Sequence, residues 1–159
     1  MSTAAIILFV TLVRNVSNLP DNGIFTAFPI DLFFAFLLII FASDSLALLI
    51  SSGVRTEQMA MTIMPFVLII QLLMAGLVFK LEGATKAFST LTISRWGLDS
   101  ISVISHVEDM VNLNPDGVAD GLESTAGNLS LLFGRLILFT VIYIIIAVLL
   151  LKRVDSDER

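Results

Sequence analysis

The amino-acid sequence predicts an all-α integral membrane protein with three full transmembrane helices. Hydrophobic residues make up 57% of the 159-residue chain and charged residues only 14%, and the mean hydropathy is +0.97. Three apolar runs, at about residues 30–52, 59–79 and 129–151, are long enough to cross a hydrocarbon core of about 30 Å. A soluble domain of this length cannot bury so much apolar surface, so the bilayer must be the solvent for much of the chain.

The remaining composition excludes several classes of function. The chain contains no cysteine, which excludes disulfides and cysteine-based metal sites. Its net charge is −5, and acidic residues are concentrated between the second and third long apolar runs, which argues against nucleic acid as a partner. No H-E-x-x-H motif is present and His106 is the single histidine, so we expect no catalytic residue and no metal ligand in this chain.

The first apolar run, residues 4–13, is too short to cross a bilayer as a helix. No lysine or arginine precedes it, so it lacks the charged region of a signal peptide. Two interpretations remain, an interfacial or partly inserted helix and the end of a spanning helix whose beginning lies upstream. We favour the second, which gives a partial N-terminal transmembrane helix.

The first full span, at about residues 30–52, contains a carboxylate well inside it. Asp44 would cost about 2.5–3.5 kcal/mol in hydrocarbon on insertion scales, so we expect it to face protein or a water-filled cavity. Ser51 continues the same helix face and gives it the small residues that suit close helix packing. The alternative is a protonated or hydrogen-bonded Asp44 with a purely structural role.

A short polar turn, residues 53–58, joins this span to the next. It contains Arg55 and Glu57 and is too short to form a domain, so the two spans should pack as antiparallel neighbours. The second span, at about 59–79, contains Pro65, which should bend it. Met64 and Gln71 lie on one face of this helix and line either a translocation path or an ordinary packing surface.

Residues 80–128 form a long loop before the last span. Within it residues 84–105 carry apolar side chains at helical spacing mixed with serine and threonine, which predicts a re-entrant or surface-lying helical cap. Arg95 and Trp96 would anchor this cap at the membrane interface, since both side chains combine an apolar body with a polar end. The alternative is a wholly aqueous helix packed on the rest of the loop.

The distribution of basic residues predicts the orientation. Arg55, Lys152 and Arg153 lie in two short segments, where the positive-inside rule is strongest. We therefore place the polar turn and the C-terminus in the cytoplasm and the 80–128 loop outside. The protein is expected to be a multi-pass component of the cell membrane.

Several short motifs across the chain resemble one known family. The residues that carry the resemblance are Leu48-Leu49-Ile50-Ser51, Val54-Arg55, Ala60-Met61, Met64-Pro65, Gln71-Leu72-Leu73, Gly76 and Ile93-Ser94-Arg95-Trp96-Gly97-Leu98-Asp99. In order and spacing they resemble the C-terminal half of the ABCG-like, White-type membrane domain of ABC transporters, over roughly residues 23–153. That family implies six spanning helices, of which this chain would hold part of the third and then the fourth to sixth.

The resemblance implies the membrane-spanning part of an ATP-driven exporter that forms the translocation path. The whole chain, residues 1–159, would be the C-terminal part of its transmembrane domain. The partners implied are an ABC ATP-binding domain and a second transmembrane half or homodimer copy. The chain has no G-x-x-x-x-G-K-[ST] motif, so ATP and Mg²⁺ would be bound by the ATP-binding partner. The alternative is a non-transporting membrane protein that binds or assembles another membrane protein.

Overall fold

The computed structural model describes residues 6–7, 9–11, 23–25, 27–54, 56–75, 88–106 and 124–157. Four long helices lie in these ranges: α1 (Phe28–Gly53), α2 (Glu57–Met74), α3 (Ile93–Ile104) and α4 (Ala126–Asp157). By length and composition, three helical segments of the described residues can cross a membrane: Phe28–Gly53, Glu57–Met74 and Ala126–Lys152. The predicted all-α membrane architecture with three spans is confirmed.

Helix α1 begins at a locally built cap. The carbonyl of Ala27 accepts hydrogen bonds from the N–H groups of Ile30 and Asp31 at 2.9 and 3.1 Å. Pro29 lies in this first turn, where its missing N–H leaves no helical bond unmade. The side chain of Asp31 turns back to accept the N–H of Phe25 at 2.9 Å. This carboxylate fixes the chain that leads into the helix and sits at the positive end of the helix dipole.

Helix α2 begins after the polar turn with a threonine N-cap. Thr56 has an extended backbone, with φ −134° and ψ 146°, and its side chain accepts the N–H of Met59 at 3.3 Å. Glu57 in the first turn adds a negative charge where the helix dipole favours one. The helix continues through Pro65 to Met74. The end of the predicted 59–79 span lies outside the described residues.

Helix α4 is longer than the apolar run that predicts it. It has 32 residues, which corresponds to about 48 Å at 1.5 Å per residue. The apolar run ends at Leu151, and the exposed Lys152 follows it. The helix continues to Asp157, which is about 9 Å farther along the axis.

Hydroxyl groups within the spans bond to their own helices. The side chains of Ser45, Ser52, Thr62 and Thr140 each donate to a backbone carbonyl three or four positions earlier, at 2.7–2.9 Å. A polar group without a partner is costly in hydrocarbon, and this local bond satisfies the hydroxyl without help from a neighbouring helix. The serine and threonine content of the spans is therefore compatible with lipid contact.

The chain divides into two compact units, Met1–Ile40 with Trp96–Arg135, and Phe41–Arg95 with Leu136–Arg159. In the first unit the short helical segments at residues 6–7 and 9–11 pack on α1. The rings of Phe9 and Phe36 meet edge to face with centroids 5.2 Å apart. The apolar core of this unit consists of buried side chains including Phe28, Leu32, Val103, Ile104, Leu129 and Leu132.

The second unit buries far less of its apolar surface. No residue of α2 is buried, and Phe66 and Leu68 are each 64% exposed. The described part of α4 in this unit likewise exposes a series of large apolar side chains, such as Leu149 at 60%. Such continuous apolar surface is incompatible with water and indicates contact with lipid or with a partner helix.

Candidate functional site

Asp44 and Ser51 lie on an exposed face of α1. They form one stripe with Phe41 and Leu48, because spacings of three and four residues return to the same side of a helix. Phe41 is 56% and Leu48 60% exposed, and both Asp44 and Ser51 are exposed. We call these four residues the carboxylate stripe.

Asp44 of the carboxylate stripe lies deep in the span. Asp44 precedes Gly53, the last residue of α1, by nine positions, or about 13 Å along the helix axis. It is also within about 5 Å of the midpoint of the 26-residue helix. A helix of that length can span the hydrocarbon core, and in a spanning α1 this carboxylate would lie near the centre of the bilayer.

Gln71 has a different environment. Its side-chain oxygen accepts a hydrogen bond from the hydroxyl of Ser94 at 2.7 Å, and the residue is half-buried. Ser94 lies in the first turn of α3, so this contact ties the end of α2 to the start of α3. Met64, on the predicted face of Gln71, is also half-buried. Of the predicted path residues, Asp44 and Ser51 are therefore exposed on α1, whereas Met64 and Gln71 are half-buried on α2.

Residues 88–95 connect α2 to α4 through polar contacts, and we call them the cap segment. The hydroxyl of Tyr143 donates to the carbonyl of Leu91 at 3.3 Å. Arg95 donates from Nη1 to the hydroxyl of the fully buried Ser89 at 2.7 Å. The predicted role of Arg95 as an anchor at the membrane interface stays a prediction.

Tyr143 fixes the depth of the cap segment within its unit. It lies nine positions before Lys152, about 13 Å along the axis, and seven positions after Leu136. The Leu91 carbonyl therefore lies beside the middle of the apolar part of α4 in this unit.

Trp96 is packed more deeply than expected. Its side chain is only 8% exposed, and the guanidinium carbon of Arg135 lies 4.2 Å from the centroid of its ring. The ring is thus covered by a cation within its unit, and its placement at the membrane interface stays a prediction. A cation over an indole face is stabilising by about 0.5–2 kcal/mol, depending on desolvation.

The polar turn is open on the surface of the chain. Thr56, Glu57 and Gln58 are all exposed, while Arg55 lies outside the described residues. Among the parts of the chain that the structure describes, no group of three or more histidine or acidic side chains could hold a metal ion.

Comparison with known protein families matches residues 1–105 to a family described as ABC-2 type transporter. The chain belongs to the ABC-2 type transporter family. The matched region contains α1, the polar turn, α2 and α3, and hence the candidate residues on them. A search of curated proteins finds no match.

As an ABC-2 type transporter domain, the chain is the membrane part of an ABC-type transporter. Such domains are permease components and are not themselves catalytic. Membership also implies association with an ATP-binding component and with the membrane. Sequence reasoning identified Gln71 and Arg95 but missed Ser89 and Tyr143 as contacts of the cap segment. Their pairing depends on residues far apart in sequence, and no local motif signals it.

The Gln71–Ser94 hydrogen bond should contribute measurably to the stability of this ABC-2 type domain. In a double-mutant cycle of Gln71→Leu and Ser94→Ala, we expect a coupling of about 1 kcal/mol, since interhelical hydrogen bonds in membranes average 0.6 and reach about 1.7 kcal/mol. The measurement is equilibrium unfolding in mixed micelles titrated with SDS, followed by circular dichroism.

Thr62→Val is the matched control, because the Thr62 hydroxyl donates to the carbonyl of Gln58 within α2 itself. Paired with Ser94→Ala, it should give additive effects. Additive effects for Gln71→Leu and Ser94→Ala as well would show that the bond contributes nothing to the fold.

Proposed function

We propose that this chain is part of an ABCG-like exporter domain that forms the translocation path and is driven by ATP and Mg²⁺ bound to a separate ATP-binding domain. The observation that carries the proposal is the ABC-2 type match over residues 1–105, which includes two candidate spans and the turn between them. The motifs from Leu48 to Asp99 support the narrower ABCG-like assignment.

Residues on two helices are assigned to the path. Asp44 presents a carboxylate near the middle of the span and Ser51 a hydroxyl near its end, both on an exposed helix face, where a substrate in a water-filled path would meet them. Met64 and Gln71 add a flexible thioether and an amide on α2. The side-chain oxygen of Gln71 accepts a hydrogen bond from Ser94. A substrate that displaces Gln71 would therefore also displace the start of α3.

The polar turn is assigned to coupling. The exposed Glu57 lies between two spans, and Thr56 caps the helix that follows. A force applied to such a turn displaces the ends of both helices at the same time. A local contact can in this way produce a rigid-body motion of the two helices. Arg55 and Glu57 of the polar turn would contact the ATP-binding partner.

The cap segment and α3 are assigned to the outer end of the path as a re-entrant cap. Contact between Leu91 and the middle of the apolar part of α4 supports insertion below the membrane surface. Irregular backbone at that depth requires protein around it, and the bonds to Gln71 and Tyr143 supply two such contacts. A second transmembrane half or homodimer copy would complete the enclosure of the path.

The test of the proposed function uses the chain assembled with its ATP-binding partner in inside-out vesicles. ATP-dependent, vanadate-sensitive accumulation of an NBD-labelled phospholipid is the readout, because the family resemblance permits lipid-like and amphipathic substrates. We expect Glu57→Ala and Arg55→Ala to lower the accumulation rate at least about fivefold, the lower range of allosteric couplings, while the complex stays assembled.

Gln58→Ala is the matched control, since Gln58 is an exposed, uncharged neighbour in the same turn. Full accumulation in both charge-removing variants would disprove the coupling role. Vesicles in which the assembled wild-type complex hydrolyses ATP without moving any amphipathic probe would favour the alternative, a membrane protein that binds or assembles another without transport.

The proposed orientation, with the C-terminus in the cytoplasm of a cell-membrane protein, is tested by labelling. The chain has no cysteine, so single cysteines can be introduced without background. Residues 56 and 156 should react only with reagents that reach the cytoplasm, and residue 116 should react from outside. The reverse pattern would invert the topology.

A further inference from the structure

The carboxylate stripe contains an acidic group where hydrocarbon would otherwise surround it. Asp44 is exposed on the chain surface, within about 5 Å of the midpoint of a 26-residue span. A carboxylate in direct contact with lipid tails would cost about 2.5–3.5 kcal/mol. We therefore expect this surface to be covered by something that interacts favourably with a carboxylate.

The neighbours of Asp44 on the stripe are apolar. Phe41 lies one turn before it and Leu48 one turn after it, both more than half exposed. On the opposite side of this part of α1, Ala42 and Ser45 are buried, so the stripe is the outward face of the helix. It combines an aromatic ring, a carboxylate and an aliphatic side chain along about 10 Å of axis.

We infer that the carboxylate stripe binds an amphipathic organic cation, with its positive group on Asp44 and its apolar body against Phe41 and Leu48. The inference rests on the proposed transport function and names its substrate class. Charge complementarity selects a cation, because an attraction between opposite charges is strong in a region of low dielectric constant. The ring of Phe41, three positions before Asp44, adds a second surface that favours cations.

The apolar length of the stripe selects an organic cation over a metal ion. Hard metal ions bind several oxygen ligands at once, whereas the stripe offers one carboxylate and the hydroxyl of Ser51 two turns away. A drug-sized amine or phosphonium with aromatic or alkyl groups matches both the charge and the apolar neighbours.

The test measures binding of tritiated tetraphenylphosphonium to the full chain in nanodiscs, without ATP and without the ATP-binding partner. Asp44→Asn should weaken binding about fivefold, because an ion pair shielded from water is worth more than an exposed one. Asp44→Glu should retain the affinity, since it keeps the charge. Ser43→Ala is the control for local perturbation, as Ser43 is exposed beside Asp44 but off the stripe.

Tetraphenylborate, an anion of the same shape, separates charge from apolar contact. Its binding should stay unchanged or strengthen in Asp44→Asn. Equal affinity of wild type and Asp44→Asn for tetraphenylphosphonium would overturn the inference, and so would an equal loss for both ions. Unchanged cation binding with a shift from dimer to monomer would assign Asp44 to contact with a second copy instead.

The binding measurement is independent of the transport assay. If the assembled wild-type complex accumulated no phospholipid with ATP, the proposed function would be wrong. A charge-selective cation site would still be compatible with that result. Conversely, an exporter whose Asp44→Asn variant binds cations normally would keep its function and lose this substrate class.

Discussion

Replacement of Trp96 by alanine is expected to lower the free energy of unfolding by about 3 kcal/mol, the lower end of the range for a truncated core aromatic side chain. The ring is 8% exposed, so its removal leaves a cavity, and the guanidinium of Arg135 loses the surface that lies 4.2 Å beneath it. The measurement is SDS-induced unfolding followed by circular dichroism. Fluorescence is unsuitable, because the variant removes the single tryptophan of the chain.

Trp96→Phe separates packing from any role in export. Phenylalanine keeps a ring beneath Arg135 and most of the volume, so its stability loss should be well below that of alanine. If the cap gates the path, export should fall in Trp96→Ala by more than its loss of folded protein and of ATP turnover. An alanine variant within about 1 kcal/mol of wild type would contradict the buried position of the ring.

The second large effect is expected at Gly23, which lies against the start of α1. A Cβ atom at this position would be 2.6 Å from the carbonyl carbon of Ala27, 2.7 Å from the nitrogen of Phe28 and 2.5 Å from Oδ2 of Asp31. Two of these are backbone atoms and cannot move away as a side-chain tip can. We expect Gly23→Ala to destabilise the protein by about 2 kcal/mol, within the range for overpacked positions.

The loss at Gly23 should be local before it is global. Displacement of residue 23 would break the bond from the Phe25 N–H to Asp31, so hydrogen exchange at the Phe25 amide should accelerate in Gly23→Ala. Gly134→Ala is the matched control, because within the described part of the chain no atom outside its own stretch of helix backbone would lie within 4 Å of a Cβ at this position, and alanine in a helix is favoured over glycine by about 0.5–1 kcal/mol. Similar stabilities for both variants would refute the close contact.

The spans were predictable because their determinants are local. Length and hydropathy alone identify α1 and α4, and helix α3 follows from the apolar spacing between Leu91 and Ile104. The threonine cap of α2 also has a local signal, since Thr56 directly precedes an acidic first turn and an apolar run. Each of these features depends on residues within a few turns of one another.

The candidate site was only partly predictable, because its contacts join distant positions. The sequence predicts that Asp44 avoids lipid, but not that its own chain leaves it exposed. The side chain of Trp96 has the amphipathic character of an interfacial residue. It is nevertheless covered by Arg135, which is 39 positions away in the sequence. Gln71 and Ser94 are 23 positions apart, and nothing in either local pattern selects the other as a partner.

Continuation of α4 beyond the apolar run has a mechanical consequence. From Leu151 to Asp157 the backbone remains helical, so about 9 Å of stiff rod extends past the hydrophobic segment. A rod transmits twist as well as tilt, whereas a flexible tether transmits neither. Rotation of α4 about its long axis would therefore sweep the Lys152 charge through an arc, and a protein docked against that charge would experience torque.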